Sequence, residues 1–215
     1  MIDLARIALC GLVGYGVGSI SSGYLVGRIY RNVDLRKVGS GSTGATNTFR
    51  ALGLGAALLV AVLDILKGAV AVWLASAIVP APTDLRTIAT AAAAAAAVAG
   101  HCWPAFLEGR GGRGVATGFG ALLFIATPAW LGSVVAFMLA LAITRMVSVG
   151  SLAAVAGAVI GYALFVFTGY LSFHWAVLGF ILIAGSIVTI RHRANIDRIV
   201  RGREPRLGQH RSPST

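Results

Sequence analysis

The chain has 215 residues, of which 57% are hydrophobic and 12% charged, and its mean hydropathy is +0.84. Soluble domains carry about 25% charged residues, so this composition excludes an ordinary soluble protein and predicts that most of the chain lies in lipid. The net charge of +11 would suit nucleic acid, but the cations fall between apolar runs, which is typical of the positive-inside pattern. We therefore expect phosphorylated substrates or anionic lipid headgroups as partners, and no nucleic acid.

The first apolar run covers residues 1–29 and is followed by a basic cluster between residues 28 and 37. A signal peptide carries its positive charge before the apolar run and ends in a small-residue cleavage site, whereas the order here is reversed. This order predicts an uncleaved first span with its N-terminus outside the cell.

The remaining apolar runs predict how often the chain crosses the membrane. All but one are close to the length of about 20 residues that a single crossing needs. The exception is 115–143, and a single crossing there would place the arginine-rich tail outside, against the positive-inside rule. A break at Pro128, which lacks an N–H donor, would fold this run into two short helices and return the tail to the cytoplasm. The runs are 54–79, 88–107, 115–143, 147–167 and 171–190.

We therefore predict an all-α, polytopic integral membrane protein with about seven transmembrane helices, two of them short, and cytoplasmic Gly-rich loops. Residues 1–207 would form a single membrane-embedded domain. Residues 208–215, rich in Ser and Pro without an apolar pattern, are predicted to be disordered. Cys10 and Cys102 lie in or beside apolar runs without metal-ligand spacing, so we expect no metal site.

The first Gly-rich loop, RKVGSGSTGATNTFR at residues 36–50, has cations at both ends. Glycine allows the backbone to bend tightly and to direct several N–H groups at one anion, and short polar side chains add further donors. We interpret this loop as an anion-binding site. An ordinary positive-inside loop is the alternative, but it gives no reason for the dense glycine. The polar side chains are Ser40, Ser42, Thr43, Thr46 and Asn47.

The second Gly-rich loop lies within GHCWPAFLEGRGGRGVATG, residues 100–118. Its glycines would let two arginines and nearby N–H groups converge at the start of the next helix, where the helix dipole favours anions. A glycine turn between helices is the alternative, and His101 alone is better interpreted as a hydrogen-bonded helix-end residue. The candidate residues are Arg110, Gly111, Gly112, Arg113 and Gly114.

Two further polar stretches follow. Ser148 and Ser151, within RMVSVGS at 145–151, stand three residues apart at a helix start, where capping is the simpler interpretation. His192 and Asn195 would share one helical face, and an imidazole with a pKa of about 6.5 could act as a base there. A basic helix lying on the lipid surface is the alternative.

Asp64 and Lys67 differ from these residues because they lie within an apolar run. Charges at that depth are costly unless paired, and a spacing of three places them on one helical face. We interpret them as a structural ion pair, with a catalytic role as the alternative.

Four motifs in this order resemble the bacterial acyl-phosphate:glycerol-3-phosphate acyltransferases of the PlsY type. They are GSGSTGATNTFRALG, GHCWPAFLEGRGGRGVATGFG, VSVGS and RHRANIDRIVRGREPRLG. The resemblance implies a seven-helix enzyme of the bacterial plasma (inner) membrane that works without a cofactor. Such an enzyme moves a fatty acyl group from acyl phosphate, rather than acyl-CoA, to the 1-position of glycerol 3-phosphate, giving lysophosphatidic acid and phosphate. A seven-helix bundle could enclose the site, so we expect a monomer.

The resemblance also implies residue roles. Ser40, His192 and Asn195 are the predicted catalytic residues, and either His192 or the donor phosphate would take the proton from the acceptor hydroxyl. Arg50, Arg113 and Ser148 would contact the acceptor, and the backbone of 44–47 would contact the donor phosphate. The full set of predicted substrate-binding residues is Gly39, Gly41, Gly44, Ala45, Thr46, Asn47, Arg50, Arg110, Gly111, Gly112, Arg113, Gly114 and Ser148.

This chain departs from the family pattern at two places. Ser42 and Thr43 stand where the family commonly has Asn-Pro, and Arg110 and Arg113 replace the lysines of a KGGKG motif. Arginine keeps the charge and can grip phosphate through two N–H groups.

Two other functions compete with the enzyme. A transporter or flippase for a phosphorylated small molecule or anionic lipid would also use broken helices with Gly-rich ends, but it predicts polar groups along a path through the bilayer. A non-catalytic scaffold that binds anionic lipid through its basic tail gives no reason for the glycine loops.

Overall fold

The computed structural model describes residues 2–208, and these residues form helices and connecting turns without a strand. The predicted disordered tail, 208–215, lies outside the described residues apart from Gly208. The α-helices are α1 (Ile2–Ser19), α2 (Ser22–Arg31), α3 (Ala45–Leu52), α4 (Leu54–Ile78), α5 (Asp84–Cys102), α6 (Val115–Ile125), α7 (Thr127–Thr144), α8 (Val147–Phe167), α9 (Trp175–Arg191) and α10 (Arg193–Val200), with 3₁₀ turns at Leu35–Lys37 and Ala105–Leu107.

Five helical stretches among residues 2–208 are long and apolar enough to cross a membrane. A sixth is formed if α9 and α10, which are bent by 60° at His192, are taken as one broken span, and α6 is a shorter apolar helix. The five are Asp3–Arg31, Leu54–Ile78, Asp84–Leu107, Thr127–Thr144 and Val147–Phe167.

The first apolar run is two helices rather than one. α1 ends at Ser19 and α2 begins at Ser22, so the backbone between them leaves the helical hydrogen-bond pattern. The carbonyl oxygen of Ile20, in this break, accepts a hydrogen bond of 2.9 Å from Lys67 Nζ on α4. A backbone group exposed by a broken helix needs such a partner in an apolar bundle. The break therefore brings α4 close to the start of α2.

The predicted break at Pro128 is present. α6 ends at Ile125, Ala126 is not helical, and Pro128 lies in the first turn of α7, where a missing N–H costs no helical hydrogen bond. α7 then runs back to Thr144 and packs against α8. The two backbones approach closely because Gly132 of α7 meets Gly157 and Gly161 of α8.

Small residues also hold α4 against α6. Gly68 of α4 packs on the backbone oxygen of Thr117, and Gly120 of α6 packs on the backbone oxygen of Ile65. A side chain at either glycine would collide with main-chain atoms, which cannot rotate away. The contact positions the N-terminal end of α6 beside the polar residues of α4.

We predict that Gly120→Ala destabilises the protein by about 1–3 kcal/mol, because the new methyl group must separate two packed backbones. The measurement is the thermal midpoint of the purified protein in detergent. Gly179→Ala on α9 is the matched control, since no described neighbour lies within 4 Å of the position that its Cβ would take. Equal midpoints for the two variants would contradict the close crossing of α4 and α6.

Candidate active site

A cavity of about 320 Å³ opens at the end of the bundle where the two Gly-rich loops, the start of α8 and the bend between α9 and α10 meet. It collects predicted site residues from four distant parts of the sequence. Those that line it are Gly44, Ala45, Thr46, Asn47, Arg50, Arg113, Gly114, Ser148, His192 and Asn195. Six predicted residues do not line it: Gly39, Ser40, Gly41, Arg110, Gly111 and Gly112.

The first Gly-rich loop is shaped by the buried side chain of Asn47. The two N–H bonds of its amide Nδ2 are shared among three carbonyl oxygens, those of Leu35 (3.1 Å), Val38 (3.0 Å) and Ser42 (2.9 Å). Its Oδ1 accepts from the backbone N–H of Ser40 at 3.0 Å. These contacts occupy the carboxamide within the loop, so Asn47 holds the loop in shape.

Two glycines of this loop explain why the chain can wrap around that amide. Gly39 and Gly41 have φ of +60° and +70°, a region that side chains other than glycine rarely adopt. A Cβ on Gly39 would also collide with Asn47 Oδ1. The loop therefore delivers Gly44 and the first residues of α3 to the cavity wall, while the Ser40 side chain is exposed outside it.

An ion pair between Asp34 and Arg36 lies at the start of this loop. The Asp34 carboxylate accepts from Arg36 Nε at 3.0 Å and from Arg36 Nη2 at 2.8 Å. These hydrogen bonds lower the pKa of Asp34 to about 2. The carboxylate is therefore charged at neutral pH and caps the 3₁₀ turn at Leu35–Lys37 through the Arg36 N–H.

The second Gly-rich loop lies against the end of α5. A Cβ on Gly111 or Gly112 would collide with His101, with its backbone oxygen or its ring respectively. Arg191 at the end of α9 binds the loop from the other side, donating to the carbonyl oxygens of Gly112 (3.1 Å) and Gly111 (3.2 Å). Gly111 and Gly112 thus serve packing, and neither lines the cavity.

The two arginines of this loop diverge. Arg110 is exposed, with its Nε 3.9 Å from the Glu108 carboxylate, and lies away from the cavity. Arg113 is partly buried and lines the cavity beside Gly114, the residue that precedes α6. Both arginines were predicted to bind substrate, but only Arg113 lines the cavity.

The cavity is strongly cationic around Arg113. Burial lowers the pKa of Arg113 to about 10, and the charges of Arg198, Arg50 and Arg191 add to that effect, while Glu204 opposes it. Several guanidinium groups held near one point repel each other, so an anion bound among them is favoured. The arrangement suits a phosphate group.

The main site residue that sequence analysis missed is Glu204. Its Oε1 accepts from Ser148 Oγ (2.7 Å) and Asn195 Nδ2 (2.6 Å), and its Oε2 accepts from Arg198 Nε (2.7 Å). These hydrogen bonds outweigh burial and keep the pKa of Glu204 below its usual range. One signal was available, since Glu204 is an isolated acid in an arginine-rich tail.

His192 lies at the bend between α9 and α10 and is 1% exposed. Its Nδ1 is 2.8 Å from the carbonyl oxygen of Val188. A carbonyl oxygen only accepts, so Nδ1 carries the proton, and Nε2 of the neutral ring keeps a lone pair. His192 is therefore oriented as a hydrogen-bond acceptor or base for a group in the cavity.

Asp64 and Lys67 lie beneath the cavity. Lys67 Nζ is 2.9 Å from Asp64 Oδ1, and His101 Nδ1 is 3.5 Å from the same oxygen. Asp64 and His101 also line the cavity, which the sequence did not indicate. The buried charges thus link α4 directly to α5, and through the carbonyl oxygen of Ile20 they link α4 to the break between α1 and α2.

A narrow apolar slot continues from the polar cavity between α6, α8 and α9. The slot and the cavity share Val115, Phe119 and Ser151. The remaining lining of the slot is almost entirely aliphatic or aromatic: Gly118, Leu122, Ser133, Ala154, Val155, Ala158, Phe180, Ile181, Ala184, Gly185 and Val188. A ligand with a charged head and a hydrocarbon tail would fill both.

These features define the class, a polytopic helical membrane protein with a cationic cavity beside an apolar slot. Residues 8–202 match the family model described as glycerol-3-phosphate acyltransferase. The chain belongs to the glycerol-3-phosphate acyltransferase family. The predicted resemblance is therefore confirmed, and an acyltransferase is favoured over the transporter and the scaffold.

Known proteins resemble the chain over nearly its whole length. The glycerol-3-phosphate acyltransferase of Synechococcus elongatus is 44% identical, over 97% of this chain and 98% of that protein. A crystal structure of PlsY (YgiH), an integral membrane glycerol 3-phosphate acyltransferase, in its glycerol 3-phosphate form has a TM-score of 0.81 at 34% identity, covering 94% of this chain and 96% of that one. Its lysophosphatidic acid form has a TM-score of 0.79 at 32% identity, covering 94% and 95%.

We predict that Glu204→Gln lowers the thermal midpoint at pH 7 and that this deficit disappears in acid. The folded-state pKa of Glu204 lies below its ordinary value, which is about 4.3 in an unfolded chain. The stabilisation is thus complete above about pH 4.3 and is lost as the pH falls through the folded-state pKa. Thermal midpoints from pH 7 to pH 3 measure it. A deficit that does not change with pH would contradict this account, and exposed Glu108→Gln is the control.

We predict that Asp64→Asn and Lys67→Met each destabilise the protein by about 3–5 kcal/mol, because each leaves one buried charge unpaired. The double variant should be more stable than either single variant, since it removes both charges. Thermal midpoints in detergent give the comparison. If the destabilisation of the double variant equalled the sum of the two single destabilisations, a structural pair would be contradicted. A double variant that is stable but inactive would point to the catalytic alternative.

Proposed function

We propose that this protein transfers a fatty acyl group from acyl phosphate to the 1-position of glycerol 3-phosphate, giving lysophosphatidic acid and phosphate. This is the first acylation of phospholipid synthesis. The observation that carries the proposal is the continuity of the cationic cavity with the apolar slot through Val115, Phe119 and Ser151. Acyl phosphate has both characters in one molecule, an anionic head and a hydrocarbon tail.

The acceptor end of the site is assigned to Arg50, Arg113, Ser148, His192 and Asn195, which line the cavity together. Guanidinium groups bind phosphate through charge-assisted hydrogen bonds. Ser148 and Asn195 are held by Glu204, so their remaining hydrogen-bonding atoms keep one orientation. The side chain of Ser40 lies outside the cavity lining. Its proposed contact with glycerol 3-phosphate therefore rests on the family resemblance alone.

The donor phosphate is assigned to the first turn of α3. Gly44, Ala45 and Thr46 line the cavity at the start of this helix, where the N–H groups of the first turn and the helix dipole favour an anion. Asn47 supports this binding by holding the loop rather than by a contact of its own amide. The acyl chain would then lie in the slot.

The chemistry requires little of the protein beyond placement and charge. The acceptor O–H bond breaks, its oxygen bonds to the acyl carbon, and the bond from that carbon to the phosphate oxygen breaks. Phosphate leaves with the electron pair, and the acceptor proton goes either to His192 Nε2 or to the departing phosphate. Fixed cations and correct placement of the two substrates supply most of such a rate enhancement.

The proposed topology puts the N-terminus outside and the C-terminus and active site in the cytoplasm of a bacterial cell. The arginine-rich segment at the end of α9 and in α10 supports this orientation through the positive-inside rule. Counting α6 and the bent α9 as spans gives about seven membrane helices in one domain, 1–207. We propose a monomer, because a seven-helix bundle could enclose the site by itself.

The proposal is tested by giving purified protein in detergent acyl phosphate and glycerol 3-phosphate. Release of phosphate and formation of lysophosphatidic acid in equal amounts are expected, and acyl-CoA should not replace the donor. Detergent removes the two compartments, so transport cannot mimic this result. Failure to form the monoacyl lipid from acyl phosphate would overturn the proposed reaction.

In the same assay, Arg50→Ala and Arg113→Ala should each raise the KM for glycerol 3-phosphate and lower kcat/KM by about 30- to 1,000-fold, which corresponds to about 2–4 kcal/mol. Arg110→Ala is the matched control, since Arg110 belongs to the same loop but does not line the cavity. Unchanged kinetics in both alanine variants, at equal protein levels, would defeat the assignment of these cations to the phosphates.

A further inference from the structure

Residues 203–208, the segment after α10, lie along the cavity, and we call this segment the strap. The chain reverses at Gly202, which has a φ of +67°, and the N–H of Arg203 donates to the carbonyl oxygen of Arg198 at 2.7 Å. From Pro205 to Gly208 the strap then lines the same cavity as Arg113 and His192. The strap is thus one wall of the site rather than a loose tail.

The first anchor of the strap is Glu204. Its carboxylate accepts from Ser148 on α8 and from Asn195 and Arg198 on α10. Since Ser148 and Asn195 are both assigned to the acceptor, this anchor ties the strap to the acceptor end of the cavity.

The second anchor joins Leu207 to Arg145, the first of the two residues between α7 and α8. The N–H of Leu207 donates to the Arg145 carbonyl oxygen at 2.7 Å, and Arg145 Nη2 donates to the Leu207 carbonyl oxygen at 3.2 Å. Arg145 has a φ of +58°, in the left-handed region. Two residues, Pro205 and Arg206, lie between the anchors, and the proline restricts the path of the chain further.

We propose that Arg206 is a further substrate-binding residue, placed by the two anchors to hold the phosphate of glycerol 3-phosphate together with Arg50 and Arg113. This inference rests on the proposed function. A small dianionic acceptor gains most from cations on several sides, because each guanidinium can donate to a different phosphate oxygen. All three arginines line the cavity, and they come from separate parts of the chain: Arg50 from α3, Arg113 from the second Gly-rich loop and Arg206 from the strap.

The test is the kinetics of Arg206→Ala with each substrate varied in turn. We expect the KM for glycerol 3-phosphate to rise by about 5- to 30-fold, as for the loss of a charge-assisted hydrogen bond at an exposed side chain. The kcat and the KM for acyl phosphate should stay within about twofold, because such a contact binds ground and transition states alike. Arg206→Lys should recover part of the affinity. Arg203→Ala, which removes the same charge from the start of the strap but not from the cavity lining, is the matched control.

A second variant tests the anchor. Arg145→Asn removes the Nη2 bond to Leu207, while asparagine tolerates the left-handed backbone conformation. It should raise the KM for glycerol 3-phosphate, and the double variant Arg145→Asn with Arg206→Ala should bind no more weakly than Arg206→Ala alone, because Arg145 acts through Arg206.

The outcomes separate this inference from the proposed reaction. Wild-type protein that fails to form lysophosphatidic acid would overturn the reaction itself. An active wild type with an unchanged KM for glycerol 3-phosphate in Arg206→Ala would overturn only the role of Arg206. A rise in the KM for acyl phosphate, or a fall in kcat alone, would equally overturn it, since the first assigns Arg206 to the donor and the second to the structure.

Discussion

The arginine-rich end of the cavity depends on one buried carboxylate, Glu204, which lies among the cations. Four arginines contribute positive potential there: Arg113, Arg198, Arg50 and Arg191. Their mutual repulsion would destabilise the fold without a compensating negative charge. Glu204 satisfies Arg198 directly and uses its other oxygen to fix Ser148 and Asn195. The one negative charge of Glu204 cannot balance four arginines, so this end of the cavity keeps a cationic excess. That excess is complementary to phosphate groups.

Glycine serves two separate purposes in this fold. In the first loop, Gly39 and Gly41 adopt positive φ and wrap the chain around the Asn47 amide. In the second loop, Gly111 and Gly112 let the chain lie directly against His101, and Arg191 closes over them. In both loops the glycines position neighbouring groups, Gly44 and Arg113, which face the cavity. The many glycines in these loops therefore allow the backbone to pack closely against neighbouring groups, rather than contacting a ligand directly.

Local signals in the sequence predicted the helical class, the break at Pro128 and the chain segments that meet at the site, because each signal acts within a few residues. The roles of individual residues at the site depend on tertiary contacts that the sequence does not show. Asn47 and Gly112 look like ligand-binding residues until their partners, Leu35 and His101, are known. Glu204 was not predicted because an acid in a basic tail normally stays in solvent, and only the folded tail shows Ser148 and Asn195 beside it. The break at Ile20 was missed for a similar reason, since its support comes from Lys67 in another helix.

The junction of cavity and slot sets where an acyl carbonyl would lie under the proposed reaction. The phosphate must remain among the arginines, and the hydrocarbon must remain in the slot, because exchanging the two environments would bury charge in an apolar lining. The carbonyl between them then falls near Val115, Phe119 and Ser151, the residues that both spaces share. Under the proposed reaction, the length of the acyl chain would be measured from this junction inward along α8 and α9. Substitutions deeper in the slot would thus alter the choice of acyl chain without disturbing the phosphates.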